Sequence, residues 1–333
     1  MTGWNPYDPD PAVPPQPWGA GAGGVPPGGY LPPPQFGSQP EDPLVSPDYG
    51  GWWGRATTIV RRGWKPLAAL QAIGLVLALL LQAPAGIWVA LASDDLQRSF
   101  PEPGSGGQPD LTPFFVALGL TAGAALLGVL VTAMVTLAVV HVGVSVAIGA
   151  PARIDDALRL AARRIFPLIG WQLLSIPLYL VAVCLCILPV FYVAAVFTAL
   201  PVVVAAERTG AFGRCFTLFH RNLGLSAARI ATILGLSLAG GLIAAVFGGV
   251  IDAAASNVGS GNAGTIVGVV VSTLVTAVLG GALAILVAPL TLTAYADMRA
   301  RVEPFNAMVI AQELGVVPPP TPWSDPWPPA APA

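Results

Sequence analysis

Apolar and polar positions alternate here on the scale of whole segments. From about residue 66 to 295 the chain runs through long stretches of Leu, Val, Ile, Ala and Gly, broken by short polar or basic connectors. A helix needs about 20 apolar residues to cross a hydrocarbon layer roughly 30 Å thick. Stretches of that length lie at 66–92, 113–138, 228–250 and 265–295. The region 165–206 carries no formal charge and is too long for one crossing, so it reads as two spans turning near Leu188-Pro189. The pattern predicts an all-α, polytopic membrane protein with six transmembrane helices. Pro84 is expected to kink the first span near its outer end. The second is expected to extend toward Gly149, and the sixth to run on past the bilayer.

The connectors set the topology. Arg55, Arg61, Arg62 and Lys65 precede span one; Arg153, Arg159, Arg163 and Arg164 join spans two and three; Arg208, Arg214, Arg221 and Arg229 join spans four and five; Arg299 and Arg301 follow span six. On the other side Arg98 stands alone among Asp94, Asp95, Glu102 and Asp110. The excess of basic residues on one side places both termini in the cytoplasm of a multi-pass plasma-membrane protein. The segments RRGWKPL at 61–67, RRIFPL at 163–168 and HRNLGL at 220–225 punctuate the chain alike. The expected unit is a basic amphipathic interfacial helix followed by a transmembrane hairpin, repeated three times. In the second connector Ile154, Leu158, Ala161 and Ile165 recur at helical spacing; in the third Phe212, Phe216 and Phe219 do so. Such helices suit the membrane interface, with the apolar side toward acyl chains.

Residues 1–50 and 316–333 are dominated by Pro and Gly with few aliphatic residues, so both are expected to be disordered, Pro-rich cytoplasmic tails flanking a transmembrane domain at 51–315. The first apolar run begins only after Pro66, which argues against a cleavable signal peptide.

Composition sharpens this picture. Hydrophobic residues make up 55% of 333 positions and charged ones 10%, with a net charge of −2, values that fit a chain whose solvent is the bilayer and give no support to nucleic-acid binding. His141 and His220 stand outside any motif, and Cys184, Cys186 and Cys215 lack a metal-ligand or disulfide spacing. The sequence therefore predicts no catalytic residue, no cofactor and no metal. Glu207, Asp252 and Asp297 fall at helix ends, where water reaches them. Gln71, Gln82 and Gln172 are the most polar groups within spans and are expected to hydrogen-bond between helices. Gly240, Ala244 and Gly248 in span five, and Gly264, Gly268 and Ser272 in span six, recur every four residues. That spacing lets backbones approach, either within one chain or between copies.

The closing segment TAYADMRARVEPFNAMVIAQELG, with Tyr295, Asp297, Arg299, Arg301 and Glu303, resembles that of actinobacterial integral membrane proteins related to the membrane domain attached to some glycerophosphoryl diester phosphodiesterases. The connector ERTGAFGRCFTLFHRNLG is similar to that family's cytosolic segment, and the likeness extends loosely over 52–312. The family usually has Gly after the glutamate, where this chain has Pro304. The resemblance implies a six-helix membrane domain without an assigned activity; the catalytic barrel that sometimes accompanies it does not occur in this sequence. From the residues alone, Asp297, Arg301 and Glu303 are expected to pair on a cytosolic helix end while Arg299 reaches toward headgroups.

These readings converge on a non-enzymatic membrane protein with a scaffolding or lipid-associated role. Arg159, Arg163, Arg164, Arg214, Arg221 and Arg299 are the expected headgroup contacts, and its partners are membrane lipids, a second copy or another membrane protein. The alternative is a transporter or lipid-moving protein with a cavity between the hairpins, for which Pro84, Pro177, Pro189 and Pro201 are candidate helix breaks.

Overall fold

The architecture comes from a computed structural model, which describes residues 42–91, 112–207, 210–221, 223–258 and 262–317. Among these residues every regular element is a helix. In chain order they are α1 (Tyr49–Leu91), α2 (Thr112–Ala147), α3 (Ile154–Leu185), α4 (Ile187–Phe197), α5 (Leu200–Ala206), α6 (Ala211–His220), α7 (Leu223–Val258), α8 (Asn262–Ala300) and α9 (Ala307–Glu313). Six helices are long and apolar enough to cross a membrane: α1, α2, α3, the α4–α5 pair, α7 and α8.

Two of the three basic connectors are continuous with the helices that follow them. RRGWKPL lies inside α1 and RRIFPL inside α3, so Pro66 and Pro167 sit within helices. Only the third connector makes a helix of its own, α6. The break between α3 and α4 comes at Cys186, in extended backbone, a little before the expected Leu188-Pro189. Pro189 falls instead in the first turn of α4, where a missing N–H costs nothing. A second interruption at Thr198–Ala199 precedes Pro201, which opens α5. Pro201 has no N–H to bond the Phe197 carbonyl four residues back, which suits a break there.

Helix α8 packs on both α1 and α7, α1 also on α2, and α2 on α3. The short α5 closes on α2 and α3. We call the end that carries Asp42 and Val317 the base and the opposite end the rim. Close approaches at the base depend on small residues: a Cβ at Gly63 would meet Val146 at 2.7 Å, and one at Gly143 would meet Leu292 at 2.9 Å. Between α7 and α8, a Cβ at Gly240 would meet Leu283 at 2.3 Å and one at Gly268 would meet Ala255 at 2.6 Å; Gly248 faces Thr276, and Ala244 is buried. Gly264 is half-buried on α8.

The folded unit begins before residue 51. Leu44 and Ser46 are buried against the base, and the Asp42 carboxylate accepts hydrogen bonds from its own Leu44 and Val45 and from the Ala307 amide of α9. The remainder of the two expected tails, 1–41 and 318–333, lies outside the described residues.

Candidate functional site

The base is built on two polar clusters. In the first, Arg229 from the start of α7 meets Asp297 near the end of α8, Nη1 to Oδ2 at 2.5 Å, with side chains only 2% and 0% exposed. The second carboxylate oxygen of Asp297 accepts the amide of Ser46. Arg229 donates through Nη2 to the carbonyls of Ser46 and Asp48 at 3.2 and 3.0 Å. Its guanidinium stands 5.9 Å from the Trp52 ring, whose Nε1 donates to the Leu290 carbonyl. Two charges taken out of water are tolerated only when matched and hydrogen-bonded. Here the match pins the segment before α1 to α7 and α8 together.

The second cluster centres on Arg299, two residues further toward the end of α8. Its Nη1 and Nη2 each donate to the Glu313 carboxylate at 2.6 Å, its Nε pairs with Glu303, and Nη1 also donates to the Tyr295 hydroxyl at 3.0 Å. Tyr295 in turn donates to Glu207 at 2.7 Å. Arg214 of α6 bridges Glu207, at 2.7 Å, and Glu303, at 2.8 Å. The ends of α5, α6, α8 and α9 are thereby joined by two guanidinium groups and three carboxylates. A cleft of about 570 Å³ lies over them, lined by Glu207, Arg214, Arg299, Glu303, Gln312 and Glu313. Burial alone would raise the Glu303 carboxyl, but the hydrogen bond and charge of Arg299, with Arg214 beside it, hold it below the usual glutamate range. Burial pushes the Cys215 thiol up to about 12, with Glu207 adding to the effect and Arg214 opposing it. At neutral pH Cys215 is thus a protonated, unreactive thiol.

These contacts revise several expectations. Asp297 pairs with Arg229 on another helix, and Glu303 pairs with Arg299 and Arg214. Arg299 and Arg214 are turned into the protein and held by carboxylates, so they are withdrawn from the headgroup set. Arg159, Arg163 and Arg221 remain exposed, Arg159 beside Asp156 at 3.2 Å; Arg164 is half-buried. The aromatic stripe of α6 faces protein, not acyl chains: Phe212 packs at a tilt against Phe197 and Trp171 with ring centroids 4.6 and 5.0 Å away, and Phe219 meets Tyr192. His220 is bonded to the Tyr192 hydroxyl and the Phe216 carbonyl, while His141 is buried with Nδ1 unpartnered. Among the described residues no three His, Cys, Asp or Glu side chains gather as metal ligands.

A separate cavity of about 600 Å³ lies within the spans, bounded by α1, α2, α7 and α8. Gln71 and Gln82 line it, and neither amide finds a hydrogen-bond partner among the described residues, in place of the interhelical bonds expected of them. Gln172 on α3 likewise makes no side-chain bond to a described residue; its carbonyl accepts the Ser175 hydroxyl.

Comparison of the chain with family models, with curated proteins and with solved structures finds no match.

Proposed function

We propose that the chain is a non-enzymatic plasma-membrane protein, its termini in the cytoplasm, that associates with anionic lipids through a basic band around its base. One observation carries this reading. Arg61, Arg62 and Lys65 of α1, Arg159 and Arg163 of α3, and Arg221 after α6 are exposed, and α1 and α3 also carry large exposed aromatic side chains in these stretches, Trp64 at 56%, with Lys65 over its ring, and Phe166 at 76%. Aromatic rings placed next to cationic ones suit the zone where acyl chains meet headgroups. Each basic residue near an anionic surface contributes about 1 kcal/mol at moderate ionic strength. The interhelical ion pairs at the base favour a scaffold, since they fix the helix ends against one another. The resemblance of the closing segment implies a membrane domain of the same kind, with no activity attached.

The test uses the full chain in nanodiscs of phosphatidylcholine with and without phosphatidylglycerol. The anionic lipid should raise the thermal midpoint at low salt, and added salt should erase the gain. The triple variant Arg159→Gln, Arg163→Gln, Arg221→Gln should gain markedly less. Equal midpoints in the two bilayers at low salt would overturn the reading.

A further inference from the structure

We propose that the intramembrane cavity between α1, α2, α7 and α8 is a binding site for the uncharged, hydroxyl-rich headgroup of an amphiphile. The inference is independent of the basic band, which lies elsewhere on the molecule and has the opposite chemistry.

The cavity measures about 600 Å³, within the range of small-molecule sites. It reaches from Gln71, near the middle of α1, toward the rim, where Asp252 of α7 and Gln82 of α1 line it. Hydroxyl groups complete the lining. Elsewhere in the bundle Ser145, Ser237, Thr291 and Thr293 each donate to the carbonyl four residues back, the ordinary way of satisfying a hydroxyl inside a helix, as Thr136 does on the cavity wall. Thr132, Thr273 and Thr276 make no such bond and line the cavity instead. Glycines on the facing helices keep it open: a Cβ on Gly128 would meet the Gln82 amide nitrogen at 3.1 Å, and one on Gly248 would meet the Thr276 hydroxyl at 3.2 Å.

At this depth lipid offers no hydrogen bonds, and an unsatisfied amide costs several kcal/mol. Two amides and three hydroxyls without partners among the described residues face this open cavity, ready to pair with an occupant that supplies donors and acceptors. Among the described residues the lining contains no Lys, Arg or His, and its one charge is the Asp252 carboxylate. A phosphate would enter unpaired and be repelled. Carboxamides, hydroxyls and a carboxylate together match a sugar or polyol, each of whose hydroxyls both donates and accepts. The rim halves of α2 and α7 expose Leu126 and Leu242, apolar surface along which acyl tails can lie.

The experiment retains the full chain in phosphatidylcholine nanodiscs and reads bound lipid by native mass spectrometry. Its probes are a monoglucosyl diacylglycerol, phosphatidylglycerol and phosphatidylethanolamine with matched acyl chains. The glucosyl lipid should be retained about tenfold over either phospholipid, the ratio that about 1.4 kcal/mol of hydrogen bonding gives. The double variant Gln71→Leu, Gln82→Leu should keep or raise the thermal midpoint while losing that preference. Gly128→Leu, which fills the space and removes no polar group, should lose it too. Equal retention of the three lipids, preference for the amine headgroup, undiminished glucosyl binding in the double variant, or a lowered midpoint in that variant would each overturn the proposal. The last would make the amides structural partners. A failure here leaves the anionic-lipid test at the base untouched, because the two read different lipids and different residues.

Discussion

The two halves of α2 form a sharp contrast within one helix. From Leu137 to Ser145 every residue is buried, all the way round. Among the described residues between Thr112 and Leu130 only Ala117 and Gly128 are buried, and the neighbouring rim segments of α3 and α4 expose leucines such as Leu188, 78% accessible. A helix that is apolar on every face is built to be surrounded. At the base protein surrounds it, and at the rim lipid must. Between helices lipid removes the hydrophobic driving force, so association there rests on packing and on polar contacts. Among the described residues the charged contacts are concentrated at the base, where two clusters join α5, α6, α7, α8, α9 and the segment before α1. The bundle is therefore clamped at one end, and its rim half is the part available to a ligand or to lipid.

The strongest way to break that contrast is to cut the clamp. Asp297→Ala leaves Arg229 buried without its counter-ion and should destabilise the protein by about 3–5 kcal/mol, measured as unfolding in mixed micelles. Replacing both partners, Arg229→Met with Asp297→Leu, should recover part of that loss but not all of it, because the guanidinium also holds the Ser46 and Asp48 carbonyls. Packing offers a second comparison along a single helix. Leu137→Ala, at a site with no exposed surface, should cost about 2–5 kcal/mol, whereas Leu126→Ala on the rim half of α2 should cost under about 1. Equal losses at the two positions would mean that the rim is packed in the membrane, by a second copy or by another protein.

Span number was legible in the sequence because length and hydropathy alone decide it. The base was not, for reasons that particular residues make clear. Ser46 and Asp297 are 251 residues apart, and nothing local marks a backbone amide as the partner of a distant carboxylate. Asp297 lies at a helix end, where a charge ordinarily reads as solvated, and only the arrival of Arg229 from α7 converts that end into an interior. Asp42 through Asp48 shares its proline content with the tail before it, so composition hid a segment whose role is hydrogen bonding. The stripe of Phe212, Phe216 and Phe219 was visible as a period, but a period does not say whether lipid or protein covers it; Phe197 and Trp171 supply that answer. Gln71 and Gln82 stood out as polar groups in apolar runs, while their lack of partners depends on how four separate helices meet.

A finer probe of the clamp is Arg299→Lys. Lysine keeps the charge and loses the planar fork that grips Glu313 through two nitrogens and reaches Glu303 with a third. The expected loss is about 1–3 kcal/mol, smaller than for Asp297→Ala because the ends of Glu303 and Glu313 are partly open to water. It should appear as earlier hydrogen exchange in α9 with α1 and α2 unchanged.

The smallest effect concerns pH. Arg299 and Arg214 hold the folded-state Glu303 carboxyl below its ordinary range, so folding binds fewer protons at this site than unfolding does. Its contribution to stability is complete above the unfolded glutamate value and is lost as pH falls through the lower folded value. Glu303 is about one-third exposed, which screens the pair and keeps the gain modest. A titration of the thermal midpoint from neutral to acid should therefore show a shallow decline that begins in the glutamate range. Glu303→Gln should flatten that decline and lower the neutral-pH midpoint slightly. If the variant titrated like the parent, the acid sensitivity would belong to other carboxylates of the base, and Glu303 would be a spectator on the open side of the cluster.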